Sequence, residues 1–179
     1  SLTYFIKLSK KTDKKPFTGI AYTYLDIFYV AVPFSLLNLA VFSVDAVYHY
    51  EILVGCLLIL WASDTGAYFA GTRFGKTKLF ERVSPKKSWE GFLGGAFSAI
   101  AVAFILSQYF VVLEDWKWLV IAGIIIIAGT YGDLIESLFK RSIEIKDSGS
   151  ILPGHGGFMD RFDGLLLSAP FITAFLKIC

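Results

Sequence analysis

Five apolar stretches, each close to the ~20 residues that a helix needs to cross a bilayer, follow one another along the chain: Ile20–Phe42, Tyr50–Gly71, Gly91–Leu113, Trp116–Phe139 and Phe162–Ile178. Within lipid every backbone N–H and C=O must be paired internally, which a helix does along its own length. Composition agrees, because 55% hydrophobic, 17% aromatic and 18% charged residues depart from the roughly 45–50% apolar and about 25% charged content of soluble domains. The expected fold class is therefore all-α: a polytopic transmembrane helix bundle of about five membrane spans. Pro33 should kink or break the first span, and Pro170 falls within the short fifth one. Neither an internal repeat nor a low-complexity linker divides the chain, so 1–179 reads as a single membrane-embedded domain. No charged-then-apolar leader with a cleavage site precedes the first stretch, so no signal peptide is expected. The opening residue is Ser1 rather than Met, and we expect upstream sequence in a longer parent chain.

Orientation follows from where the basic residues fall. Lys7, Lys10, Lys11, Lys14 and Lys15 precede the first span, Arg73 to Lys87 carry the loop between the second and third, and Lys140, Arg141, Lys146 and Arg161 lie between the fourth and fifth. Of the 17 basic residues, all but Lys117 and Lys177 thus fall on one side of an alternating bundle. Basic loops stay cytoplasmic, which puts the N-terminus inside and the C-terminus outside. A net charge of +2 carries no message about partners, and no nucleic-acid partner is expected. Cys56 and Cys179 sit in apolar runs, without the spacing of metal or redox sites, and read as packing residues.

Chemistry concentrates at the cytoplasmic ends. Helical spacing puts Asp133, Glu136 or Ser137, Lys140 and Glu144 on one stripe at the end of span four. A carboxylate inside a membrane helix costs about 2.5–3.5 kcal/mol or more at the centre and marks a functional site by default; the competing reading is an interfacial pair with Lys140 or Arg141. Asp160 and Asp163 stand three apart at the start of span five. If helical there, they share a face and repel unless a cation lies between them. With Asp133 converging from span four, hard oxygen ligands of this kind suit Mg²⁺, although Arg161 could neutralise one of the pair instead. Pro153-Gly154-His155-Gly156-Gly157 offers backbone N–H groups for an anion, or simply a tight turn. Ser84-Pro85-Lys86-Lys87-Ser88-Trp89 places hydroxyls and lysines just before a helix start, where a polyphosphate could rest. Gly71 to Lys76 lacks the spacing of a phosphate-binding Walker loop. Asp64, with Gly66, Ala67 and Gly71 near it to let helices approach closely, supports the site, contacts substrate or makes an interhelical hydrogen bond.

The run from Ser137 to Asp163, with its Lys140-Arg141, Lys146-Asp147, His155-Gly156-Gly157 and Asp160-Arg161-Phe162-Asp163 elements, resembles the signature of the phosphatidate cytidylyltransferases, the CDP-diacylglycerol synthases. Ser63 to Tyr68 and Ser84 to Gly91 are similar to that family's upstream motifs, so the resemblance covers roughly Gly55 to the end. It implies the C-terminal catalytic portion of an integral, multi-pass enzyme of the bacterial inner membrane, its active site facing the cytoplasm. The implied reaction transfers CMP from CTP to phosphatidate, giving CDP-diacylglycerol and pyrophosphate. The implied metal ligands are Asp133, Asp160 and Asp163, with Mg²⁺ as cofactor and room for a second cation such as K⁺. Lys140, Arg141 and Lys146 would contact phosphate. Asp64, Ser84, Lys86, Lys87, Ser88, His155, Gly156, Gly157 and Arg161 complete the expected substrate-binding set. CTP, phosphatidate and the bilayer are the expected partners, with a homodimer left open. Competing readings are a related enzyme for another lipid phosphate, an ion-coupled transporter with intramembrane acids, and a non-catalytic scaffold.

Overall fold

A computed structural model describes residues 21, 24–25, 27–42, 47–80, 84–142 and 162–179. A π-helical turn, Ile27–Ala31, runs into α1, Val32–Val41, followed by α2, Tyr50–Phe74; a β-hairpin of β1, Lys78–Phe80, and β2, Ser84–Ser88; α3, Trp89–Tyr109; α4, Asp115–Ser142; and α5, Asp163–Ile178. Among the described residues, three helices are long and apolar enough to cross a membrane, Tyr50–Phe74, Trp89–Tyr109 and Asp115–Arg141, while Ile27–Val41 is a shorter apolar helix. The first apolar stretch changes winding at Pro33, which takes the first turn of α1, where a missing N–H costs nothing. Pro170 lies inside α5.

The helical expectation needs one addition, the antiparallel hairpin, in which Lys78 stands opposite Ser88 and Phe80 opposite Ser84, with an irregularity between them. Its anchors are local: the Glu90 carboxylate accepts the backbone N–H groups of Lys76 at 3.1 Å and Thr77 at 3.2 Å, and Trp89 N–H donates to the Thr77 carbonyl. Ser88 caps α3 by accepting the Gly91 N–H at 3.1 Å, one of the donors a helix start otherwise leaves unpaired.

Helices pack here through small residues, since lipid offers no hydrophobic drive between apolar helices and close backbone approach supplies the attraction. α2 and α3 make the most extensive pairing, followed by α4 with α5, α3 with α4 and α1 with α5. At the α2–α3 seam, a Cβ on Gly95 would meet the Ser63 carbonyl oxygen at 2.7 Å, so only glycine fits. Large apolar side chains turn outward instead: Phe97 is 76% exposed, the mark of a lipid-facing surface. Inside, Trp118, Ile59, Ile121, Ile125, Leu165 and Ile172 form the core, and the Trp118 indole donates to the Phe110 carbonyl at 3.3 Å. Cys56 packs in that core as expected, whereas Cys179 is exposed, because it follows the last turn of α5 rather than facing a neighbouring helix.

The two basic residues expected on the sparsely charged side do meet at one end of the bundle. Lys177 Nζ donates to the Phe42 carbonyl at 2.8 Å, and Lys117 Nζ to the Cys179 carbonyl at 3.1 Å. α4 runs 28 residues from that end, about 42 Å at ~1.5 Å per residue against about 30 Å of hydrocarbon. Its last turns, from Asp133 onward, therefore emerge at the opposite end beside the hairpin.

Candidate active-site cavity

At that opposite end, α2, the hairpin, α3, α4 and α5 enclose a cavity of about 370 Å³. All of them except α3 contribute a polar group: Asp64 from α2, Lys86, Lys87 and Ser88 from β2, Asp133 from α4 and Asp163 from α5. The α4–α5 crossing that brings the last two together is set by glycines. A Cβ on Gly132 would meet the Asp163 carbonyl oxygen at 2.7 Å and the Gly164 Cα at 3.2 Å, so the backbones approach to a distance no larger residue permits. Asp133 follows Gly132 directly, and Asp163 opens α5.

Lys87 forms an ion pair with Asp133, and its Nζ also lies 3.5 Å from the Thr130 carbonyl. The hairpin is thereby tied across the cavity to α4. Asp133 Oδ1 accepts the Ser137 hydroxyl at 3.4 Å, and Asp163 Oδ1 accepts the Gly164 N–H at 2.6 Å at the start of α5. Anionic and cationic groups therefore share one cavity, which can receive both a cation and a polyphosphate. A larger groove of about 1120 Å³ lies on the opposite face of α2, but its lining, including Trp61, Phe69 and Phe97, contains no carboxylate. The carboxylates Asp64, Asp133 and Asp163 all line the smaller cavity.

Of the residues expected from the sequence, the structure thus gathers Asp64, Lys86, Lys87, Ser88, Asp133 and Asp163. Asp133 pairs with Lys87 rather than with Lys140 or Arg141, a partner 46 positions away that helical spacing could not reveal. Lys140 instead pairs with Glu136 at 3.5 Å, one turn along its own helix, and neither it nor the exposed Arg141 lines the cavity. Ser84 opens β2 opposite Phe80 and also stays off the lining. Lys146, His155, Gly156, Gly157, Asp160 and Arg161 lie outside the described residues. Glu136 was visible on the Asp133 stripe but carried no assigned role; it is buried, at 7% exposure, and its charge acts on the Asp163 carboxyl.

The donor chemistry suits a hard divalent cation, since Asp64, Asp133 and Asp163 present only oxygen. Among the described residues no three His, Cys, Asp or Glu side chains close on one point, and the third expected ligand, Asp160, is not among them. Asp133 and Asp163 are the described groups that would hold such an ion.

Comparison with known proteins fits this geometry. The model of the cytidylyltransferase family matches residues 1–179. A phosphatidate cytidylyltransferase of Haemophilus influenzae is 36% identical over 177 residues, covering 94% of this chain and 60% of the relative. One from Staphylococcus epidermidis is 38% identical over 172 residues, covering 89% of this chain and 66% of the relative, and one from Staphylococcus aureus is 37% identical over the same length. The chain spans less than two thirds of the length of these relatives. With a family match along all 179 residues and a cavity to which the motifs that carry the resemblance contribute Asp64, Lys86, Lys87 and Asp163, the chain belongs to the cytidylyltransferase family.

Proposed function

We propose that the protein transfers CMP from CTP to phosphatidate, forming CDP-diacylglycerol and releasing pyrophosphate. The observation that carries this reading is the convergence of Asp64, Lys86, Lys87, Asp133 and Asp163 on one cavity at an end of an apolar helix bundle, together with the names of the relatives. A phosphate-monoester oxygen of the lipid attacks the α-phosphorus of CTP, the bond from that phosphorus to the bridging oxygen breaks, and pyrophosphate departs with the electron pair. The protein's part is positioning and charge compensation. Lys86 and Lys87 hold the triphosphate from the hairpin, and Lys87 exchanges its Asp133 partner for phosphate oxygen as the nucleotide enters. Asp133 and Asp163 hold Mg²⁺, with Asp160 completing the set. When bound, the cation neutralises charge on the transferring group and the departing pyrophosphate. Asp64 faces the same space and orients substrate. A second cation such as K⁺ is compatible with this donor set.

The same reading places five spans across the bacterial inner membrane, with 1–179 as one catalytic domain and the cavity facing the cytoplasm. Lys146, His155, Gly156, Gly157 and Arg161 complete the phosphate site with Ser88 on its hairpin side, while Lys140, Arg141 and Ser84 act on the phosphates from outside the cavity lining. A homodimer is compatible with this arrangement. Membranes containing the full-length protein should convert radiolabelled CTP and phosphatidate to lipid-bound CMP only when Mg²⁺ is present. Lipid labelling that persists in a correctly inserted Asp163→Ala variant would overturn the assignment.

A further inference from the structure

Next to the cavity lies a layer of polar groups that touches its carboxylates without lining it. Glu136 stands one turn beyond Asp133, and its carboxyl interacts electrostatically with that of Asp163. Tyr29 comes from the π-helical turn Ile27–Ala31, which packs against α1 and α5. Its hydroxyl is buried and has no hydrogen-bond partner among the described residues. Among the described residues, the carboxylates of Glu136, Asp163 and Asp133 act electrostatically on that hydroxyl.

A buried hydroxyl left unpaired destabilises the fold, and Phe would fill the same apolar position without that cost. π-turns inside helices recur at functional sites because the extra residue re-aims a side chain. The carboxylates differ in what compensates them: Lys87 pairs with Asp133 and Lys140 with Glu136, whereas Asp163 has no ion pair among the described residues. Ionised carboxylates only accept hydrogen bonds, and a phenol can donate one without adding positive charge. A donor of that kind fixes a carboxylate's rotamer while leaving its charge available to a metal ion, as outer hydrogen bonds do at metal centres.

We propose that Tyr29 is a positioning residue for the carboxylate cluster, donating from its hydroxyl to the Asp163–Glu136 pair so that Asp163 turns an oxygen into the cavity. This rests on the cytidylyl-transfer reading above. Tyr29 acts through Asp163 and does not touch the reacting phosphates.

The test uses the full-length protein in detergent, with Mn²⁺ as probe. Free Mn²⁺ is read by electron paramagnetic resonance without substrates, and CDP-diacylglycerol formation is followed in parallel over a Mg²⁺ titration. Tyr29→Phe, which removes one oxygen, should weaken Mn²⁺ binding by about 10-fold or more and raise the Mg²⁺ needed for half-maximal rate by a similar factor. KM for CTP at saturating Mg²⁺ should stay close to that of the parent. Glu136→Gln alters the same contact from α4 and should shift Mn²⁺ binding in the same direction. The double variant should be no weaker than the worse single one, because both act on one side chain. Unchanged Mn²⁺ affinity in either single variant, with the parent active, overturns the role of Tyr29. A parent that binds Mn²⁺ in a Tyr29-dependent way yet makes no lipid-linked CMP would uphold the positioning and sink the cytidylyl-transfer reading instead.

Discussion

Asp163 and Asp133 share the cavity but differ in their neighbours, and that difference sets what each substitution should do. Asp163→Asn keeps the shape and the Gly164 N–H contact but loses the charge offered to a cation. We expect lipid-linked CMP formation to fall by about 100-fold or more, the scale on which preorganised charge stabilisation is lost, with thermal stability in detergent little changed. Lys87 gives a sharper separation of stability from function. Its pair with Asp133 joins side chains that are 25% and 42% exposed, so the pair contributes less than about 1 kcal/mol. Lys87→Met should therefore leave the melting temperature nearly unaltered while raising KM for CTP by about tenfold, or roughly 1.4 kcal/mol of phosphate binding. Steady-state kinetics beside a melting curve checks both halves. Equal loss of stability and turnover would mean that the pair is structural.

Among the elements, the α4–α5 crossing decides whether the carboxylates meet at all. Gly132 lies against the Asp163 carbonyl and Gly164, and overfilling a packed contact of that kind costs about 1–3 kcal/mol. Gly132→Leu should lower stability by that amount and abolish activity by spreading the two helices. Gly123 stands on the same helix with nothing within 4 Å of the site where a Cβ would go. Gly123→Ala should retain activity and gain about 0.5–1 kcal/mol from reduced unfolded-chain freedom. Both changes are read by thermal unfolding and turnover of the same preparations. The hairpin is the element that helical periodicity could not show, because Lys78–Phe80 and Ser84–Ser88 are short and polar, and their pairing depends on Glu90 and Ser88 holding the ends.

For the whole molecule, the charge asymmetry makes an orientation testable. The cavity and hairpin lie at one end, and Lys117, Lys177 and Cys179 lie at the other. In a full-length protein with Cys56 and Cys179 replaced by Ser, a single cysteine at Lys78 should react with a membrane-impermeant maleimide only from the cytoplasmic side. A cysteine at Lys177 should react only from the outside. The reverse pattern in spheroplasts and inverted vesicles would invert the bundle and place the cavity away from cytoplasmic CTP.

The sequence by itself determined the membrane setting, the longer helices to within about four residues at their ends, and the acidic and basic residue types at one end, because hydropathy and 3.6-residue spacing are local properties. It also exposed the stripe on which Asp133 and Glu136 lie. Only the tertiary structure decided that Lys87 of the hairpin crosses to Asp133, that Asp64 joins them from α2, and that the buried Tyr29 hydroxyl of the π-turn lies in the field of the same carboxylates. Those choices depend on how closely backbones approach at Gly95, Gly132 and Gly164. Helix crossing is a property of two surfaces in contact, and one helix's pattern specifies only its own surface.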